Sequence, residues 1–130
     1  MEIFDIFNKK NTYKLYSEVK MSTINLADST STGFSSSITA RKKSGKFRYS
    51  LKHSYADTKY DINDLGLLQR NNYNNIEIDL SYQIFEPTKK LNNYYIGSYL
   101  NYKKLANPGT YTGTNFGFYY EAQTKKINNY

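Results

Sequence analysis

Four groups of side chains have types and spacing that chemistry uses. The first is Ser54, His53 and Asp57, the composition of a nucleophile–base–carboxylate triad. Neighbouring residues of a strand point to opposite faces, so His53 and Ser54 cannot meet. His53 is the only histidine and the chain has no cysteine, so no His/Cys metal site can be assembled. The second group is Asp57, Asp61, Asn63, Asp64 and Gly66, which has the look of a calcium loop. The twelfth position from Asp61 is Asn72 rather than Glu, and no helical pattern flanks it. A weak Ca²⁺ site is one reading; Asp and Asn side chains ordering a turn through backbone N–H groups is the favoured one. The third is Glu77 and Asp79, two carboxylates on one strand face. Such a pair can act as acid and base, but cross-strand partnership with Arg48 and Lys52 explains it better. The fourth is the excess of 18 Lys and Arg over 11 Asp and Glu, a net charge of +7. The cations gather at turns and do not interleave with aromatics on one surface, which argues against nucleic acid. There is no phosphate-cradling glycine loop. The expectation is a non-enzyme without cofactors.

The elements that carry these groups are strands. Apolar residues alternate with polar ones: Leu15, Ser17, Val19 and Met21 against Lys14, Glu18 and Lys20, and Leu51, His53 and Tyr55 against Lys52 and Ser54. The same period runs through Phe34–Ala40, Ile76–Ile84, Tyr94–Lys103 and Asn115–Gln123, with a shorter opening strand at Ile3–Asn8. Tyr, Phe, Ile and Thr suit strands, and Asn-, Gly-, Lys- and Ser-rich clusters suit the turns between them. The pattern predicts an all-β, antiparallel up-and-down meander of about seven long strands, with no helix longer than a turn.

Alternation persists for about ten residues per strand, the length a tilted strand needs to cross a bilayer. Connections are expected to alternate between short (9–12, 43–46, 86–92) and long (22–32, 56–73, 105–113), as barrel turns and outer loops do. The apolar faces carry no charge at mid-strand. Arg48, Lys52, Glu77, Asp79 and Glu121 fall on the opposite face, where a wet lumen would accept them. Tyr13, Phe47, Tyr55, Tyr82, Tyr94 and Tyr102 sit near strand ends, as interfacial girdles do. The competing reading is a soluble secreted sheet with one wet face, binding carbohydrate or protein through its aromatics.

The 60–72 segment, with Tyr60, Asp61, Asn63, Asp64, Gly66, Arg70 and Asn71, resembles a stretch found in a family of large, uncharacterised Gram-negative proteins. His53–Asp57 and Glu121–Lys126 are similar to that family as well. In it a carbohydrate-binding-like sandwich, similar to family 9 modules, precedes a β-rich region held to form an outer-membrane barrel. The resemblance implies that residues 1–130 are one barrel segment and a fragment of a longer chain. It implies as partners the lipid bilayer, the remaining strands of the parent barrel and a glycan, with location in the outer membrane. It carries no catalytic residue across. The opening residues, 1–10, lack the basic segment and apolar run of a signal peptide.

Overall fold

The computed structural model describes residues 1–61 and 70–125. Seven strands follow one another as β1 (Glu2–Phe7), β2 (Tyr13–Leu26), β3 (Ser29–Lys42), β4 (Phe47–Ala56), β5 (Tyr73–Ile84), β6 (Leu91–Lys104) and β7 (Tyr111–Thr124). They form one antiparallel sheet in sequence order, open at β1 and β7, with no helix among the described residues.

One expectation is corrected. The 22–32 stretch is not a long loop. Ser22 pairs with Gly33 and the ladder continues to Leu26 opposite Ser29, leaving only Ala27 and Asp28 in the turn. A ladder is made of backbone hydrogen bonds, and Ser and Thr join it at little cost where neither face needs a large side chain. Connections therefore do not alternate strictly in length. Instead β3 overhangs β4: Ser35 is the last β3 residue paired with β4, and Ser29–Phe34 rises beyond it.

The register puts all strands in phase. Leu15, Ala40, Leu51, Ile78, Leu100 and Phe116 lie in one paired row on the apolar face. Lys14, Arg41 and Ser50 lie in the corresponding row on the polar face. Burial is inverted relative to a soluble sheet. Phe118 and Phe116 on the apolar face are 80% and 71% exposed, whereas Thr39 on the polar face is 5% exposed. Ser22, Ser35, Ser54 and Ala56 are likewise buried on the polar face. The polar side is thus the sheltered one.

The strand ends are staggered. The row through Lys42, where β3 ends, passes through Tyr49, Leu80 and Ser98 to Phe118, six residues short of the end of β7 at Thr124. Six residues at ~3.3 Å make about 20 Å of slip over four inter-strand steps of ~4.8 Å. The line of strand ends therefore climbs at about 45°, the inclination a barrel of tilted strands requires.

Aromatic rings on the apolar face pair near both ends of the strands. Toward the 43–46 turn, Phe47 meets Tyr49 at 6.3 Å and Tyr94 meets Tyr120 at 5.5 Å between centroids. Toward the other end, Phe34 meets Tyr55 at 6.4 Å and Tyr102 meets Tyr111 at 5.6 Å. Aliphatic side chains such as Leu51, Ile78 and Leu100 fill the band between.

Candidate functional site

Arg48, Lys52, Glu77, Asp79 and Glu121 all occupy polar-face register positions. Lys52 lies directly opposite Glu77, and its Nζ stands 3.5 Å from the carboxylate, so this expected cross-strand pair forms. Arg48 does not pair with Asp79. It lies opposite Ser81, donates from Nε to the Gly45 carbonyl at 3.3 Å and places its guanidinium over the Phe85 ring. Asp79 lies between Ser50 and Tyr99, and Glu121 opposite Tyr95. The two carboxylates Glu77 and Asp79 share a face, but Glu77 is engaged by Lys52.

His53 sits on the apolar face beside Ile38 and Ile76, with Nε2 2.9 Å from Asn74 Oδ1. Ser54 is on the other face, opposite Ser37 and Asn75. The triad is therefore absent, for the reason the strand period gives.

The start of the long β4–β5 connection folds back over the polar face. Asp57 anchors it. Its Oδ1 accepts N–H bonds from Lys59 at 2.9 Å and Tyr60 at 2.7 Å, and its Oδ2 accepts one from Phe34 at 3.0 Å. Both oxygens serve backbone donors, which is the structural role expected of this cluster. Tyr60 is only 3% exposed, and its backbone lies so close to Gly33 that a Cβ there would overlap it. The Asp61 N–H donates to Ser22 Oγ at 2.9 Å. Asn71 Nδ2 donates to the carbonyls of Thr58 at 2.9 Å and Tyr60 at 3.3 Å, closing the loop neck. Arg70 is exposed. Asn63, Asp64 and Gly66 lie outside the described residues. Burial pushes the Tyr60 phenol above its usual range, while nearby Lys20 draws it back.

Sequence reasoning missed three parts of this neck. Gly33 supplies the bare backbone on which Tyr60 rests. Asn72 and Asn107 exchange two bonds of 2.9 Å that tie the loop to the β6–β7 connection. Each joins residues far apart in sequence, so no local pattern marks them. Among the described residues no group of three His, Cys, Asp or Glu is placed to hold a metal ion.

Beneath the folded loop runs a furrow. Between Gly33 and Arg41 the polar face of β3 carries only small side chains, Ser35, Ser37 and Thr39. Longer ones stand on either side, Tyr16 and Lys20 on β2 and Lys52 on β4. The resulting cavity is about 510 Å³. The meander, the sheltered polar face and the start of the tucked loop lie among the described residues, and one family takes in all of these residues but the first: residues 2–130 match a domain of unknown function, DUF5916. The chain belongs to the DUF5916 family. No curated protein and no solved structure matches it. The family assignment covers all seven strands and every residue of the furrow, so the DUF5916 domain includes the candidate site in full.

Proposed function

We propose that this chain is a section of an outer-membrane β-barrel that performs no chemistry of its own. Its apolar face meets acyl chains, its polar face lines a water-filled lumen, and its longer connections face the exterior. The observation that carries this reading is the inverted burial. Large apolar side chains on every strand face outward, while hydroxyl-bearing and small residues on the other face are sheltered. In water, an uncovered face of this size is an aggregation hazard; in a bilayer it is the stable arrangement.

Three further features support it. Strands of 12–14 residues inclined at about 45° reach roughly 28–33 Å along the membrane normal, enough for the ~25 Å apolar band with some margin. Paired rings bracket the aliphatic band at both ends, where interfacial girdles belong. The charges on the apolar face, such as Lys42 and Lys104, stand at the girdle ends and not between them. By analogy with the proteins it resembles, the parent protein binds or takes up a glycan, with the remaining strands of the barrel completing the sheet at the β1 and β7 edges.

The test is to fold the chain with and without detergent micelles and to record circular dichroism and gel-filtration size. Folding in micelles with aggregation in buffer is expected. Monodisperse β-structure in plain buffer would favour a soluble sheet binding carbohydrate or protein through its aromatic face, and would defeat the barrel.

A further inference from the structure

We infer that the polar-face furrow is a binding site for a compact anionic solute rich in hydroxyl groups, a sugar bearing a carboxylate or a phosphate. The inference depends only on the polar face, so it stands apart from what solvates the apolar one.

The furrow has a physical cause. Ser35, Ser37 and Thr39 form a low floor along β3, and the side chains of the flanking strands rise as walls. From Ser35 to Arg41 it runs about 20 Å at ~3.3 Å per residue. Tyr60 covers Gly33 just beyond Ser35, and Arg41 at the other end of the furrow is exposed. Its volume of about 510 Å³ falls within the ~300–1,000 Å³ of small-molecule sites.

Charge selects the ligand's sign. Four cations line the furrow, Lys14, Lys20, Arg41 and Lys52. Three are held by carboxylates: Lys14 by Asp5 at 2.7 Å, Lys20 by Glu18 at 2.8 Å and Lys52 by Glu77 at 3.5 Å. Arg41 has no carboxylate partner among the described residues. Its Nε donates to Ser50 Oγ at 3.1 Å, which leaves both terminal nitrogens for a bidentate anion. One uncompensated positive charge at the exposed end of the furrow favours an anion.

The floor selects hydroxyls. Ser37, Thr39 and Ser54 border the cavity, and their side-chain oxygens make no hydrogen bond to the protein among the described residues. Each can donate and accept, which suits a polyhydroxy ligand better than an apolar one. A carboxylate or a phosphate on such a ligand would satisfy Arg41 equally.

The experiment titrates glucuronate, glucose 6-phosphate and glucose into the folded chain in zwitterionic micelles, read by saturation-transfer NMR. Both anions are expected to bind, with glucose about tenfold weaker. Glucuronate binding alone, or glucose 6-phosphate binding alone, would identify carboxylate or phosphate as the group Arg41 takes. Arg41→Gln is expected to lower anion affinity about tenfold and to leave glucose unchanged; Arg41→Lys restores part of it, lacking the planar fork. Ser37→Leu, which fills the furrow away from Arg41, is expected to abolish binding of all three ligands. Circular dichroism checks that each variant is folded. Equal affinity for glucose and the anions, no binding of either anion, or undiminished anion binding by Arg41→Gln and Ser37→Leu would overturn the assignment.

Discussion

Replacing Leu51 by arginine asks directly what surrounds the apolar face. Leu51 is four residues from Phe47 and four from Tyr55, at the centre of β4, with Ala40 and Ile78 beside it in register. Four residues at ~3.3 Å span about 13 Å, which a tilt near 45° reduces to about 9 Å of depth from either ring. That places the side chain near the midplane of a ~25 Å apolar band. Arginine facing lipid at that depth costs about 2–4 kcal/mol. At ~1.4 kcal/mol per factor of ten, about 3 kcal/mol is a roughly 150-fold loss in the folding equilibrium. An exposed position in water would change stability by no more than about 0.5 kcal/mol. The assay is reversible urea unfolding from phospholipid vesicles, followed by circular dichroism. Asn101→Arg is the control, because Asn101 lies on the polar face opposite Glu77 and should tolerate the cation. If Leu51→Arg and Asn101→Arg unfold at the same urea concentration as the parent chain, the lipid-facing argument is refuted.

Gly33→Val places side-chain atoms where the Tyr60 backbone lies, so the loop neck should lift at a cost of about 1–3 kcal/mol; faster limited proteolysis within residues 57–61 is the readout, and an unchanged cleavage rate counts against the tuck. The raised Tyr60 phenol predicts a pH effect. The fold favours its neutral form, so this contribution is complete below the ordinary tyrosine range near pH ~10 and is lost as pH rises through it and up to the higher folded value. Tyr60→Phe should flatten that part of the stability profile relative to the parent chain, and identical profiles would contradict it. Tyr95 and Tyr119 stack at 5.3 Å with their hydroxyls 3.2 Å apart. A double-mutant cycle with Phe at both positions should return a coupling of about 0.5–1.5 kcal/mol in urea unfolding, against near zero if the hydroxyls merely happen to be close.

Period-two alternation was enough to reveal six of the seven strands and both their faces, because a pleated backbone leaves side chains no other choice, whereas the short opening strand offered no clear phase. Leu51 and Lys52 could be assigned to opposite sides from their neighbours alone. The Lys52–Glu77 pair was legible since both residues lie on one face at facing positions of adjacent strands. Arg48, expected to partner the Glu77 and Asp79 carboxylates, lies opposite Ser81 instead, because register decides partners, and register is a property of two strands and their turn. The Ser- and Thr-rich 22–32 stretch misled for a related reason. Its composition suits a loop, but its backbone donors and acceptors found a complete ladder. The loop neck was half visible: Asp57 announced a side-chain-to-backbone turn, whereas the resting place of Tyr60 on Gly33, 27 positions away, has no local trace. The furrow was invisible for the opposite reason, being made by the smallness of Ser35, Ser37 and Thr39 and not by any reactive group.

Between β6 and β7, Tyr119 lies across Gly97, and Tyr99 lies across Gly117. Each ring occupies the slot left by a residue without a side chain on the opposite strand, so the two strands are keyed in both directions. Sliding β7 by two residues either way would set Tyr119 against Tyr95 or Tyr99, bulk upon bulk. Strands this long and this uniformly alternating would otherwise offer several near-equal alignments. The interlock singles out one of them by local contacts between the two strands alone.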